Sequence, residues 1–579
     1  MRKNESKPVN DNLFSILKPY RGKVVLLIFF ALAGNGINLI IPLIISRGID
    51  SYSNGTLLLF NIIRDFLVAA VFILAFLYLQ GIIQTYVSET VSKDLRKKLS
   101  DKISRQSYAY ILRANPAKLL TNLTSDMDSV KLFVSQAVVS IVSSAFIIIG
   151  SGVMLLSINW KLALVVMTIV PLIGGAFFIM LRKVRILFRK SREVIDWLNR
   201  VINESILGST LIRVLNSQHY EYKKFMAANS TSRDLGLEIL SLFAALIPVI
   251  TFVSNMAILT VLSLGGHFVV NDTMSLGDFA AFNSYIAILI FPIIIIGFMS
   301  NLIAQATASY QRIQLVLAED DHIDTGEFEG QLSGLMELRN VSVYYGDKPA
   351  LKEVNVLVKP GSRVAIIGPT AAGKTQLLYL LTGLIKPDKG EVLFDNRLLD
   401  TIKKESFYPQ VGLVFQDSII FNMSLSENIA FSDKVTDEML EKAIITAELK
   451  SFIDKLPQGL NTIVSERGTS LSGGQKQRIM LARALALNPR ILLLDDFTAR
   501  VDSSTEHKIM TNIRNNYPDI TIITVTQKIA SVENYDQIIL LMESEIIAAG
   551  TNEYLMNNSP EYIQIYNSQR STSHYDLRS

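Results

Sequence analysis

Up to about residue 305 the apolar side chains of this chain stand in long, nearly unbroken blocks, whereas beyond that point they fall into short runs divided by glycine and charge. A helix needs about 20 mainly apolar residues to cross the hydrocarbon layer of a membrane. Six blocks approach or exceed that length: Val24 to Ile45, Phe66 to Ile83, Gln136 to Ile158, Leu162 to Leu181, Ile239 to Leu264 and Phe279 to Ile303. None of them contains Asp, Glu, Lys or Arg. An ionised group at the bilayer centre costs at least about 2.5 kcal/mol. Any cavity between the spans is therefore expected to be neutral, lined by residues such as Asn35, Asn38, Phe177, Phe291 and Met299; for any single one of the aromatic residues or Met299, plain helix packing is the more ordinary account.

The segments that join the spans are patterned too. Apolar residues recur at helical spacing through Val201, Ile202, Ile206 and Leu207, and again through Leu211, Ile212, Val214 and Leu215. Spans two to five are thus expected to continue as helices beyond the membrane, with docking elements at their tips near Ser107 to Ala114 and Gly208 to Tyr222. Basic residues crowd the same two connections, among them Arg96, Lys97, Lys98 and Lys102 in one and Arg182, Lys183, Arg185 and Arg189 in the other. By the positive-inside bias both connections are cytoplasmic, and six spans then place both termini on that side.

Composition changes this picture little. The 579 residues carry a net charge of +4 and no cysteine. The basic excess is explained by orientation, so nucleic acid is not an expected partner, and disulfide, thiolate-metal and thiol redox chemistry are excluded. A mean hydropathy of +0.33 is too high for an ordinary soluble protein of two domains. The polar stretch Met1 to Asn12 lacks a small-residue cleavage pattern, and no cleaved signal peptide is expected. After Ala318 the run Glu319-Asp320-Asp321 and several glycines mark a linker. The expected division is a transmembrane domain with cytosolic loops over 1–315, a linker over 316–334 and a second domain over 335–579.

The second domain carries the chemistry. Gly368-Pro369-Thr370-Ala371-Ala372-Gly373-Lys374-Thr375 follows a strand-like Arg363 to Ile367 and precedes a helical stretch from Gln376. That is the setting of a phosphate-binding loop: amides and a helix N-terminus face the phosphates, Lys374 reaches the terminal ones and Thr375 holds Mg2+. Leu471-Ser472-Gly473-Gly474-Gln475 opens another helix, whose two glycines present bare amides to an anion. The apolar run Ile491 to Leu494 ends in Asp495-Asp496.

In their order and spacing these motifs resemble an ATP-binding cassette from about Leu335 to the end, and with the six spans the whole chain resembles an ABC exporter half-transporter. The resemblance implies an α-helical transmembrane domain fused to an α/β P-loop NTPase domain, with ATP and Mg2+ as cofactors. It implies that Tyr345 stacks on adenine, that Gln416 senses Mg2+, and that Asp495, with Thr375 and Gln416, holds the metal. Asp502, in Thr498-Ala499-Arg500-Val501-Asp502, matches the loop that crosses the dimer interface. Leu471 to Gln475 matches the signature, which faces nucleotide held by the opposite subunit's phosphate loop, so a dimer is implied. Glu466 and Arg467 stand where exporters carry a loop touching the transmembrane coupling elements.

Two positions depart from the family pattern. Asp496 replaces the usual catalytic Glu, and its carboxylate falls about 1 Å or more short of an attacking water, a misplacement that can cost roughly a hundredfold in rate. Gln527, in Thr526-Gln527-Lys528, replaces the switch histidine and can neither carry a positive charge nor shuttle a proton. With the signature intact, the combination resembles the degenerate half of a heterodimeric multidrug exporter. This chain's own ATP site is then a weak hydrolase, while Ser472, Gly473 and Gly474 complete the partner's catalytic site and a hydrophobic small molecule, lipid or peptide is exported. The alternatives are a homodimeric lipid, peptide or glycan flippase and a nucleotide-gated regulator that moves nothing.

Overall fold

The computed structural model describes residues 12–56, 59–321, 324–465, 468 and 470–576. They form two compact units, one built from residues up to 104 and from 114 to 320, the other from 321 onward together with 105–113.

The first unit is helical throughout. Its helices include α1 (Arg21–Ser53), α2 (Leu59–Ser104), α3 (Pro116–Ile158), the short α4 (Trp160–Met167), α5 (Ile169–Leu207), the short α6 (Ser209–Val214), α7 (Gln218–Val270) and α8 (Leu276–Leu317). Their starts follow local chemistry. Asn115 accepts from the Ala117 amide just ahead of Pro116, Asn159 accepts from the amides of Lys161 and Leu162, and Ser275 accepts from that of Asp278.

Among the described residues, five helical segments are long and apolar enough to span a membrane. The expected span Leu162–Leu181 is the exception, being divided between α4 and α5 at Thr168. Pro171 contributes to the break, since it has no amide to offer Met167 and its ring crowds that carbonyl, although Pro42, Pro248 and Pro292 lie inside unbroken helices. Thr168 Oγ1 turns back to donate to the Val165 carbonyl at 2.7 Å. Span two behaves as a lipid-facing helix should, with Phe66, Val71, Leu74 and Leu77 all exposed. At 46 residues, α2 is about 70 Å long by the usual helical rise, more than twice the hydrocarbon thickness. The long helical extensions read from the sequence are therefore present.

Within this unit a core gathers Leu39, Leu155, Leu162, Val166, Phe282, Tyr285 and Leu289, and Tyr285 donates to the Leu39 carbonyl at 2.7 Å. Two π turns interrupt α3, at Asn122–Asp126 and Phe133–Ala137. Gln84 donates to the Ser135 carbonyl inside the second, and Arg312 donates through Nε to the buried Asp126 of the first at 3.0 Å. Of the expected cavity residues, Asn35 spends its amide on the Ala31 carbonyl and Phe291 is exposed; the Phe177 side chain lies outside the described residues.

The second unit contains two sheets. Strands β1 (Met336–Tyr345), β2 (Lys348–Val358), β4 (Lys389–Phe394) and β5 (Arg397–Leu398) form an antiparallel sheet in the order β2-β1-β4-β5. Strands β3 (Arg363–Ile367), β6 (Val411–Val414), β7 (Ile491–Asp495), β8 (Thr521–Val525), β9 (Gln537–Met542) and β10 (Glu545–Gly550) form the other, in the order β10-β9-β3-β8-β7-β6. All its pairings are parallel except that of β10 with β9. A parallel sheet is covered on both faces, so its strands read as continuous apolar runs rather than alternating ones. Ile491 and Leu493 accordingly enter one core with Ile523 and Val525, while Leu492 and Leu494 enter another with Ile522. Residues 326–333, expected as linker, are tied into this unit: the amides of Glu327 and Phe328 donate to the Thr401 carbonyl, and that of Leu332 donates to Gln410 at 2.7 Å. In the same unit the Tyr108 ring meets Tyr379 edge-on at 5.6 Å.

Candidate functional site

The residues with candidate chemistry leave the carboxyl ends of four adjacent parallel strands, where open α/β sheets bind ligands. The loop 368–373 follows β3, Gln416 follows β6, Asp496 follows β7, and Thr526-Gln527 follows β8. Register holds them level: Asp495 pairs with Val525, which pairs with Ile366. The Asp496 amide donates to the Val525 carbonyl at 2.9 Å and that of Thr526 to the Ile366 carbonyl at 3.2 Å. Together they enclose a cleft of about 330 Å³ lined by Tyr345, Thr370–Gln376, Gln416, Asp495, Asp496 and Gln527.

Each wall of the cleft has a local cause. Gly373 sits at φ +102, and a Cβ there would strike the Ala350 carbonyl, so only glycine lets the chain turn into α9 (Lys374–Leu381). Ala371 accepts the left-handed region without being glycine, at φ +66. Lys374 is buried, and its Nζ donates to the Gly368 and Pro369 carbonyls at 2.8 and 2.7 Å. Burial pushes its ammonium below the ordinary range, against the pull of Asp496 and Asp495. Tyr345 is anchored by a 2.7 Å bond from its hydroxyl to Gln376 Oε1, with much of the ring exposed.

The two carboxylates differ in setting. Burial raises Asp495 above the usual carboxylate range, opposed by a hydrogen bond from Thr375. Burial raises Asp496 as well, opposed by Lys374 and Lys528, and its backbone lies in the left-handed region at φ 46. A carboxyl raised in the fold contributes stability below its unfolded pKa that is lost as pH rises through the folded one. Asp496→Asn is therefore expected to raise the melting temperature of the detergent-solubilised protein at neutral pH. That gain should shrink on acidification through the carboxylate range; a gain that grows instead would show that Asp496 is held by its lysines.

Residues 471–475 lie outside this cleft. Ser472 caps helix α10 (Gly473–Leu485) with a reciprocal box: the Gln475 amide donates to Ser472 Oγ at 3.3 Å and the Ser472 amide to Gln475 Oε1 at 2.8 Å. A Cβ on Gly474 would come within 2.8 Å of the Arg500 carbonyl, so the glycine is required by close approach. Asp502 is exposed and caps helix α11 (Ser503–Asn516) through the Thr505 amide, a bond that holds its carboxyl below the usual range.

Profiles of the ABC transporter transmembrane region and of the ABC transporter domain match residues 24–293 and 351–499. An uncharacterized ABC transporter ATP-binding protein of Bacillus subtilis, YfiB, is 32% identical over 96% of this chain and 98% of its own length. The chain belongs to the ABC transporter family. A multidrug resistance-like ATP-binding protein of Buchnera aphidicola, MdlA, is 30% identical to this ABC transporter over 96% of each. The solved structure of a bacterial Atm1-family ABC exporter with ATP bound shares its fold, with a TM-score of 0.76 at 22% identity over 96% of this chain and 99% of that one.

The cleft of this ABC transporter fits the nucleotide its family implies. A glycine turn opens it, a buried ammonium is held in its loop, and a Thr375–Asp495 hydrogen bond sits where a metal shell needs a hydroxyl and a carboxylate. Pattern reading found most of the lining but missed Ala350 and Val525, which also line the cleft. It also missed Gln477, whose Nε2 donates to the Gln416 carbonyl at 3.2 Å and ties the signature helix to the Gln416 loop. The expected coupling loop at Glu466 and Arg467 lies outside the described residues.

Proposed function

We propose that this ABC transporter is one half of a heterodimeric exporter of hydrophobic or amphipathic compounds, with both termini and the cassette in the cytoplasm. Its own cleft holds ATP in a mostly structural role: Lys374 and the amides of Thr370 to Gly373 grip the phosphates, and Tyr345 supplies the face for adenine. Mg2+, held through Thr375, Gln416 and Asp495, would neutralise charge on the terminal phosphates. Asp496 and Gln527 polarise water poorly there. Ser472, Gly473 and Gly474 complete the partner's site instead.

The reading rests on one observation. Asp496 and Gln527 line the same cleft as an intact phosphate loop, whereas the signature stands outside it on a fully capped helix. Both departures thus fall on a single composite site. The multidrug resistance-like name of MdlA supports the substrate class.

Purified alone in nanodiscs, the chain is expected to bind ATP yet to turn it over at most a hundredth as fast as when it is assembled with a partner carrying Glu and His at these positions, in line with the cost of a misplaced base. Strong drug-stimulated hydrolysis by the chain alone would remove the heterodimer.

A further inference from the structure

The last helix, α12 (Pro560–Asp576), carries Tyr562, Ile565, Tyr566 and Gln569 at spacings that put all four on one face. The first three belong to an apolar stripe. Tyr562 is fully buried with Ile367, Ile529, Leu540 and Leu555, and Ile565 and Tyr566 pack beside them. Tyr562 is also pinned by a 2.6 Å bond from its hydroxyl to Asn552. At the next position of that stripe stands a polar residue, and both ends of its amide are spent on one loop. Gln569 Nε2 donates to the Gln527 carbonyl at 2.6 Å, and the Ile529 amide donates to Gln569 Oε1 at 3.0 Å.

This is the bonding pattern of one strand edge upon another, made by a single side chain to residues two apart. It fixes the peptide planes on either side of Lys528, and Gln527 itself lines the cleft. From within, the Thr526 hydroxyl accepts from the Lys528 amide at 3.1 Å, so the loop is held from both sides. We propose that Gln569 is a positioning residue for this chain's own ATP site: it sets the backbone of 527–529 so that Gln527 meets the terminal phosphate, and it thereby determines how strongly the site prefers ATP to ADP. The proposal rests on the reading that Gln527 stands beside that phosphate.

The test substitutes Gln569→Met, which continues the apolar stripe at similar length and removes both bonds. Affinities of the full-length chain in nanodiscs are read by displacement of trinitrophenyl-ATP with ATP and with ADP. With each bond worth about a factor of five, the preference for ATP is expected to fall roughly fivefold or more. ADP affinity should stay unchanged, and the melting temperature should fall by no more than a few degrees. Gln527→Ala should produce the same loss, and the double variant no further one. Parallel falls in ATP and ADP affinity, or a lowered melting temperature alone, would reduce Gln569 to a structural prop. A loss with Gln527→Ala but none with Gln569→Met overturns the positioning role by itself. No loss with Gln527→Ala overturns the reading of the site beneath it.

Discussion

Ser472→Ala is expected to lower ATP turnover of the assembled transporter about a hundredfold, while this chain's own ATP affinity stays within about twofold. The first figure is the usual cost of removing one donor aimed at developing phosphoryl charge. The second follows from placement, since Ser472 does not line the cleft that holds Lys374. The substitution has a local cost as well. Ser472 Oγ accepts from the Gln475 amide, and an Ala cap forfeits about 1 kcal/mol. That shifts a melting curve by a few degrees at most and leaves the helix formed, so a hundredfold fall in rate is separable from it. Steady-state hydrolysis and equilibrium ATP binding on the same preparation decide the matter. A fall in binding with turnover unchanged would place the signature in this chain's own site.

The sequence foretold different parts of the molecule for different physical reasons. Long neutral blocks and strand-loop-helix motifs are local properties, so most spans and most of the cleft lining from Thr370 to Gln527 could be read directly. The interruption at Thr168 was not legible in the same way: Pro171 stands beside it, but Pro42, Pro248 and Pro292 lie inside unbroken helices, so a proline alone does not mark a break. What stayed hidden depends on the third dimension. Gln477 reaches the Gln416 carbonyl across 61 positions of chain, and Gln569 reaches the Gln527 carbonyl across 42. Neither belongs to a motif. One signal was available for Gln569, a polar residue where the stripe Tyr562, Ile565, Tyr566 calls for an apolar one, and such a break is worth following to its partner. Arg500 presents the opposite case. It lies inside a motif whose Asp502 drew attention, yet it is the Arg500 backbone and side chain that press on Gly473 and Gly474. Through that contact the loop after Asp496 and the signature are joined within one chain, so events in this chain's cleft have a short path to Gly473 and Gly474.

Lys374→Ala is expected to weaken ATP binding by this chain about a hundredfold. Its ammonium is desolvated and held at the loop by the carbonyls of Gly368 and Pro369, bonds it exchanges for charge-assisted ones when a phosphate enters. A charge-assisted bond is worth about 1.5–3 kcal/mol, and a doubly charged terminal phosphate takes more than one. Lys374→Arg is not expected to rescue: the planar fork is too broad for a loop pocket shaped around a compact ammonium. Isothermal titration of the full-length chain with ATP measures both, and a loss under threefold would show that the loop amides alone carry the phosphates. The two substitutions act oppositely if the labour is divided as proposed. Ser472→Ala removes turnover and spares binding here; Lys374→Ala removes binding here and lowers turnover only as far as closure of the paired cassettes depends on this cleft being filled. Equal loss of turnover from both, in the assembled transporter, would make the two sites equivalent and this chain a working enzyme in its own right.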